Sequence, residues 1–269
     1  MTDAPAGARA REALAGLTGL GGFFSLAAPP PPGSDALPWA DVLAAPALEA
    51  RFHAVRRALA EGDGLPVDEL DPKVAVSAVQ VGLASRLWSV ALGSAVLHGW
   101  VPDLGSASLL ASPVHRGTVP LGVADPLRGY AVDDLPEAAS VIRDVVVDDS
   151  LAALVSACAS VGRTPARVLT SNATSALVGG ARVLAAARPE HADRAWELAR
   201  LLLADPVVAR GGGAVDPASL PEGVGGAMQR PDEAFLRSGC CVFYRLPGHG
   251  LCPDCVLAPG RPEQVTPGH

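Results

Sequence analysis

The sequence predicts a mainly α-helical domain with a small β element, followed by a cysteine-rich C-terminal tail. Of the 269 residues 49% are hydrophobic but only 4% aromatic. The apolar content is mainly Ala, Val and Leu, which suits close-packed helices better than an aromatic-rich sandwich. The 29 glycines and 25 prolines imply many punctuated turns between helices. Four of the five cysteines fall within residues 240–255, and Cys158 stands alone.

Element by element, a short apolar helix is expected at about 9–27, ended by Pro29–Pro32, which cannot be helical. Residues 39–61 place Leu43, Leu48, Phe52, Val55 and Leu59 on one helical face, with a split expected at Pro46. Asp71 before Pro72 is an N-cap acid followed by a first-turn proline, so a helix starts there. It runs to about Gly99, and being apolar on every face it should be buried. Residues 113–132 break into short valine-containing runs that suit one or two strands. Further helices are expected from Pro136 to about Val161, from a Thr164–Pro165 cap to about Ala187, and over 190–204. The Gly/Pro-rich stretch 205–231 reads as a linker or loop that isolates a tail of residues 232–269 from a helical domain of residues 1–204.

The formal charge is −7, and no segment joins clustered Lys/Arg to aromatics. That excludes the usual footprint of a nucleic-acid binder and disfavours anionic membrane surfaces. Residues 12–28 are interrupted by Glu12 and fit a secretory signal poorly. Residues 74–101 carry Arg86 near their middle, so a buried core helix, with no stable membrane insertion, is the better reading.

The strongest signal is Cys240-Cys241, ten residues, then Cys252-Pro-Asp-Cys255. Four thiols in sixteen residues meet the ligand count of zinc or of an iron–sulfur cluster. Adjacent side chains on extended backbone point to opposite faces, so Cys240 and Cys241 reach one ion only through a sharp turn. Zinc pairs usually stand two to four residues apart, and a wider binuclear [2Fe–2S] cluster accepts divergent sulfurs better. A structural zinc module held by all four thiols, for protein interaction, and a disulfide remain as alternatives. In a tight hairpin turning at Pro247–Gly250, Cys241 would lie about 13 Å from Cys252 at strand rise. Val242–Leu251 must therefore bulge out, with Gly248 and Gly250 giving the freedom. Arg237 and Arg245 are candidates to tune the cluster, since nearby positive charge raises a reduction potential. Solvation of both is the plainer alternative. His249, between two glycines, reads as a turn residue rather than a ligand.

This tail resembles the C-terminal signature of FhuF-like ferric-siderophore reductases. The flanks Arg237-Ser238-Gly239 and Val256-Leu257 agree with it in style. Residues 83–104 and 166–182 are more weakly similar, to the family's central helices and to a segment shared with siderophore synthetases. The resemblance implies that Cys240, Cys241, Cys252 and Cys255 hold a [2Fe–2S] cluster. It further implies a siderophore-binding-like helical domain and one-electron reduction of a ferric siderophore, of hydroxamate type, releasing Fe(II) in the cytoplasm. Hard oxygen ligands favour Fe(III) over Fe(II), so one electron loosens the metal. No G-x-G-x-x-G follows a strand, so electrons should come from a separate donor such as a ferredoxin or flavin reductase. A siderophore-binding or redox-sensing protein without turnover is the alternative from another class.

Weaker candidates are Trp88, Trp100 and Trp196 as pocket walls, His98 and His115 as ligands to a substrate oxygen, and Asn172 as a substrate contact. For each, core packing or a structural hydrogen bond is the simpler reading. Asp133–Asp134 and Asp148–Asp149 read as solvated faces, and Cys158 as a small buried hydrophobe.

Overall fold

The computed structural model describes residues 4–27, 35–113 and 117–258. Helix α1 (Ala4–Thr18) is followed by strand β1 (Leu37–Pro38), α2 (Trp39–Val42), α3 (Ala45–Gly62) and the long α4 (Pro72–His98). Strands β2 (Trp100–Pro102), β3 (Leu109–Ala111), β4 (Leu121–Val123) and β5 (Gly129–Ala131) come next. Then α5 (Leu135–Ile142), a π-helical run Arg143–Leu151 and α6 (Ala152–Val161) form one continuous rod. Helices α7 (Ala166–Ala187), α8 (Ala192–Leu203) and α9 (Pro206–Ala209) precede β6 (Gly212–Val215), β7 (Gly226–Ala227) and β8 (Ala234–Arg237). The mainly helical fold with small sheets is as the sequence implies.

Helix α4 is the axis of the molecule, packed by α7, α3 and α1. The Asp71 carboxylate accepts the Lys73 N–H at 2.9 Å, and Pro72 needs no partner for its nitrogen. Gly99 ends the helix in the left-handed region, at φ 57°. By length and composition α4 qualifies as a membrane span, but 78% of its most apolar window is buried inside the protein. Arg86 is buried as well, and its guanidinium donates to the carbonyl of Val119 at 2.7 Å and to those of Phe23 and Ser25. Burial lowers its pKa to about 10. The charge that interrupts the apolar stretch thus fastens two loops to the central helix.

Several expectations change. The first helix ends at Thr18, and the chain then turns through Gly21, at φ 96°, to place Phe24 in the core. Pro29–Pro32 and His115 lie outside the described residues. The split near Pro46 falls at Leu43–Ala44, because proline fits the first turn of α3. Thr164 does not cap α7; its hydroxyl donates to the Gly162 carbonyl at 3.0 Å, and Pro165 occupies the cap. Strands β1, β2 and β3 fall outside the stretch read as strand, each too short for period-2 alternation to show.

The largest difference is at 205–231. Rather than isolating the tail, this stretch supplies α9, β6 and β7, and both strands pair antiparallel with β8 of the tail. Its glycines permit close pairing: a Cβ on Gly212, at φ 147°, would lie 2.3 Å from the Leu236 carbonyl oxygen.

Candidate metal centre

The cysteine motif leaves the sheet at the end of β8. Gly239 crosses the start of α7, where a Cβ would sit 2.8 Å from the Arg167 carbonyl oxygen, so only glycine fits without displacement. There the Ser171 hydroxyl lies 2.7 Å from the Gly211 carbonyl and 3.0 Å from that of Gly239, and accepts the Gly239 N–H at 3.1 Å.

Arg237 is 6% exposed and is the hub of the site. Its Nε donates to Asp254 Oδ2 at 3.0 Å and its Nη1 to Asn172 Oδ1 at 2.7 Å. Asn172 Nδ2 donates to Ser77 Oγ at 2.7 Å, and Ser77 Oγ donates to the Cys241 carbonyl at 2.8 Å. Ser175 Oγ completes the set with a 2.7 Å bond to Asp254 Oδ2. One hydrogen-bonded chain thus runs from α4 and α7 to both halves of the motif. A buried ion pair holds its place when further hydrogen bonds satisfy each member, and that condition is met here. Asn172 makes structural hydrogen bonds, the simpler of its two readings, across helices to Ser77 and to Arg237. Ser77, Ser175 and Asp254 did not stand out in the sequence. The signals for them were a serine inside an all-apolar helix and an acid between two thiols.

Directly after the cysteine pair, Val242 adopts φ 61°, a left-handed conformation unusual for a β-branched residue. This reverses the chain, and a short 3₁₀ turn over Phe243–Arg245 leads into a loop in which Gly248 and Gly250 take φ 73° and 68°. The loop brings Cys241 Sγ to 3.2 Å from Cys252 Sγ, far inside the separation of about 13 Å in a regular hairpin. The knuckle closes with the Cys255 N–H on the Cys252 carbonyl at 3.0 Å. Backbone N–H groups of Val242 and Leu257 point at Cys240 Sγ and Cys255 Sγ, each at 3.3 Å. Cys241 and Cys255 are buried, Cys240 and Cys252 half-buried.

The hydrogen bond from Cys252 pulls the Cys241 thiol down to about 6, and the same bond pushes Cys252 up. Burial raises Cys240, opposed by the Val242 N–H and reinforced by the charges of Cys241 and Cys255. Among the described residues, no three His, Cys, Asp or Glu side chains gather as one metal ion would need. Four soft thiols, one pair 3.2 Å apart and two facing backbone N–H donors, suit an iron–sulfur group. The four cysteines are the residues that would hold it.

Arg245 lies apart from this network. It is ion-paired to Asp71 at the α4 N-cap and sits 5.7 Å from the centre of the Tyr244 ring, with its side chain 42% exposed. His249 stacks on Phe243 at 5.5 Å, which fits its reading as a turn residue. Trp88 and Trp196 are core residues, the former donating to the Ala173 carbonyl at 2.9 Å, and Trp100 packs under α1. Cys158 is buried, and desolvation pushes its thiol up to about 12.

Residues 237–257 match the family model described as the FhuF 2Fe-2S C-terminal domain, a span that covers Arg237 and all four thiols. No curated protein matches the chain. The tail around Cys240, Cys241, Cys252 and Cys255 is thus similar to the FhuF 2Fe-2S C-terminal domain, and the hydrogen bonds of Arg237 seat it on a helical body.

Proposed function

We propose that this protein is a ferric-siderophore reductase. The observation that carries the reading is the 237–257 match, whose thiols are tied by a buried polar chain to the two central helices. When bound, a [2Fe–2S] group supplies transfer of one electron at a time. One electron passes to siderophore-bound Fe(III), gives Fe(II), and so weakens its hold by hard oxygen ligands. The siderophore is of hydroxamate type and the setting cytoplasmic. The electron is replaced by a separate one-electron donor of ferredoxin or flavin-reductase type. The chain's own residues anchor the thiols and keep a cation, Arg237, buried beside them, a placement that favours the reduced form.

The test is anaerobic. Protein reduced with dithionite and freed of excess reductant is mixed with a ferric hydroxamate, and the visible spectrum is followed. Return of the oxidised spectrum, with one Fe(II) trapped per electron, is the expected result. A reduced spectrum that persists would favour a siderophore-binding or redox-sensing protein. A colourless, zinc-containing preparation would sink both readings in favour of a structural module.

A further inference from the structure

A cavity of about 380 Å³ opens between α3, the first turns of α4 and the turn joining α6 to α7. Its size falls in the range of small-molecule sites. Phe52, Val76 and Val161 provide apolar wall, while Arg56, Lys73 and Arg163 bring three cations to it against the single carboxylate of Glu49. On a chain of net charge −7 this is a local reversal of sign. Arg56 is held in place by neutral carbonyls, its Nε donating to Leu70 at 2.8 Å and its Nη2 to Asp68 at 3.2 Å. Those bonds fix its position, and no carboxylate pairs with it among the described residues. Arg163 stands at φ 46°, in the left-handed region, immediately after Gly162, where a Cβ would meet Val76 Cγ1 at 2.6 Å.

The cavity and the cysteine tail share the first turns of α4. Lys73 and Val76 line the cavity, while the neighbouring residues on the same two turns hold the tail: Asp71 binds Arg245, and Ser77 binds the Cys241 carbonyl. An occupant would therefore touch the same two turns of α4 that hold the tail.

We infer that this cavity docks the ferric chelate and selects for negative charge: iron(III) complexes with free carboxylates outside the metal shell, over neutral or cationic ones. The inference rests on the reductase reading and adds the place and charge class of its substrate. The redox balance is unchanged: one electron leaves the reduced [2Fe–2S] group and enters Fe(III), with the donor named above restoring it.

The experiment follows stopped-flow reoxidation of the reduced, full-length protein by two probes. One is ferric aerobactin, an anionic hydroxamate chelate with free carboxylates, and the other is cationic ferric desferrioxamine B. The wild type should favour the anionic probe, and rising salt should slow that probe alone. Lys73→Gln with Arg163→Glu removes positive charge from the rim, so the anionic rate should drop roughly 10- to 100-fold and the cationic rate should not. Val161→Trp, which fills the cavity, should slow both. Unchanged rates in these variants, with equal salt slopes for the two probes in the wild type, would overturn the cavity while leaving the reductase standing. Should neither probe reoxidise the wild type, the reductase reading fails, and titration by tryptophan fluorescence then decides the cavity: charge-selective binding abolished by the same variants keeps it, and its absence removes it.

Discussion

The guanidinium of Arg237 is a buried cation that must satisfy a carboxylate in the knuckle and an amide on α7 at once. Lysine offers a point charge and lacks the fork that spans both. In Arg237→Gln the half-buried Asp254 carboxylate keeps Ser175 but loses its cation, at a cost of about 1–3 kcal/mol. We expect a lower melting temperature and a purified protein with less iron. Any cluster retained should have a more negative reduction potential, because a nearby positive charge is gone. Asp254→Asn should shift the potential the other way, and potentiometric titration of the two variants checks the opposed signs. Val242 presents a balance of a different kind. Its left-handed backbone costs about 1–2 kcal/mol, but a buried valine side chain contributes about 1.5–3 kcal/mol. Val242 is 8% exposed against Leu70, Val74 and Leu246, so burial outweighs strain. Val242→Gly should therefore lower stability by about 1 kcal/mol, whereas a net gain on denaturant unfolding would mean that the strain dominates. Cys158, its thiol pushed up to about 12 by desolvation, should resist alkylation at pH 8 until the protein unfolds. Cys158→Ser should leave the iron content intact, while serine at any of the four tail cysteines should abolish or alter the cluster.

At the scale of elements, the seating of the tail on α7 depends on the lack of a side chain at Gly239. Gly239→Ala would drive a methyl group into the Arg167 backbone, and backbone has little room to yield. The expected outcome is normal helical circular dichroism with reduced cluster content; full content would show that the tail can shift without loss. This dependence was not readable from the chain, since Gly239 looked only like part of a motif flank. The helices, by contrast, were plain. Asp71-Pro72 and Gly99 marked both ends of α4 because the cap chemistry is local, and each acts within one turn. The π-helical run Arg143–Leu151 kept the helical pattern going without a capping residue to announce it. Strands β6 and β7 were hidden because their glycine-rich composition reads as loop, and only the partner strand β8 gives them order. Four thiols at ligand count were legible; the bond chain through Ser77 and Asn172 was not, because it joins residues 95 positions apart.

For the molecule as a whole, the docking of α1 on the end of α4 carries a pH dependence. His98 is desolvated there, and its Nε2 has no hydrogen-bond partner among the described residues. Burial lowers its pKa, with Glu12 opposing, so the folded state favours the neutral ring. The unfolded chain then binds more protons below its ordinary value of about 6.5, and stability falls as pH drops through that window. Melting temperatures at pH 7.5 and 5.5 should show the fall, and His98→Gln should flatten it. A profile as steep in the variant would place the sensitivity elsewhere. Gly16 belongs to the same contact, since a Cβ there would lie 2.2 Å from the imidazole Nε2. Gly16→Ala should loosen α1 without changing the spectrum of the tail.

The pairing of β8 between β6 and β7 also bears on how the chain is made. The helical groups that grip the tail, Ser77, Asn172 and Ser175, and Gly211 precede the cysteines in sequence. On the ribosome, at about 5–20 residues per second, the helical body and both outer strands therefore emerge before Cys240. The thiols meet a cradle whose parts have already been made.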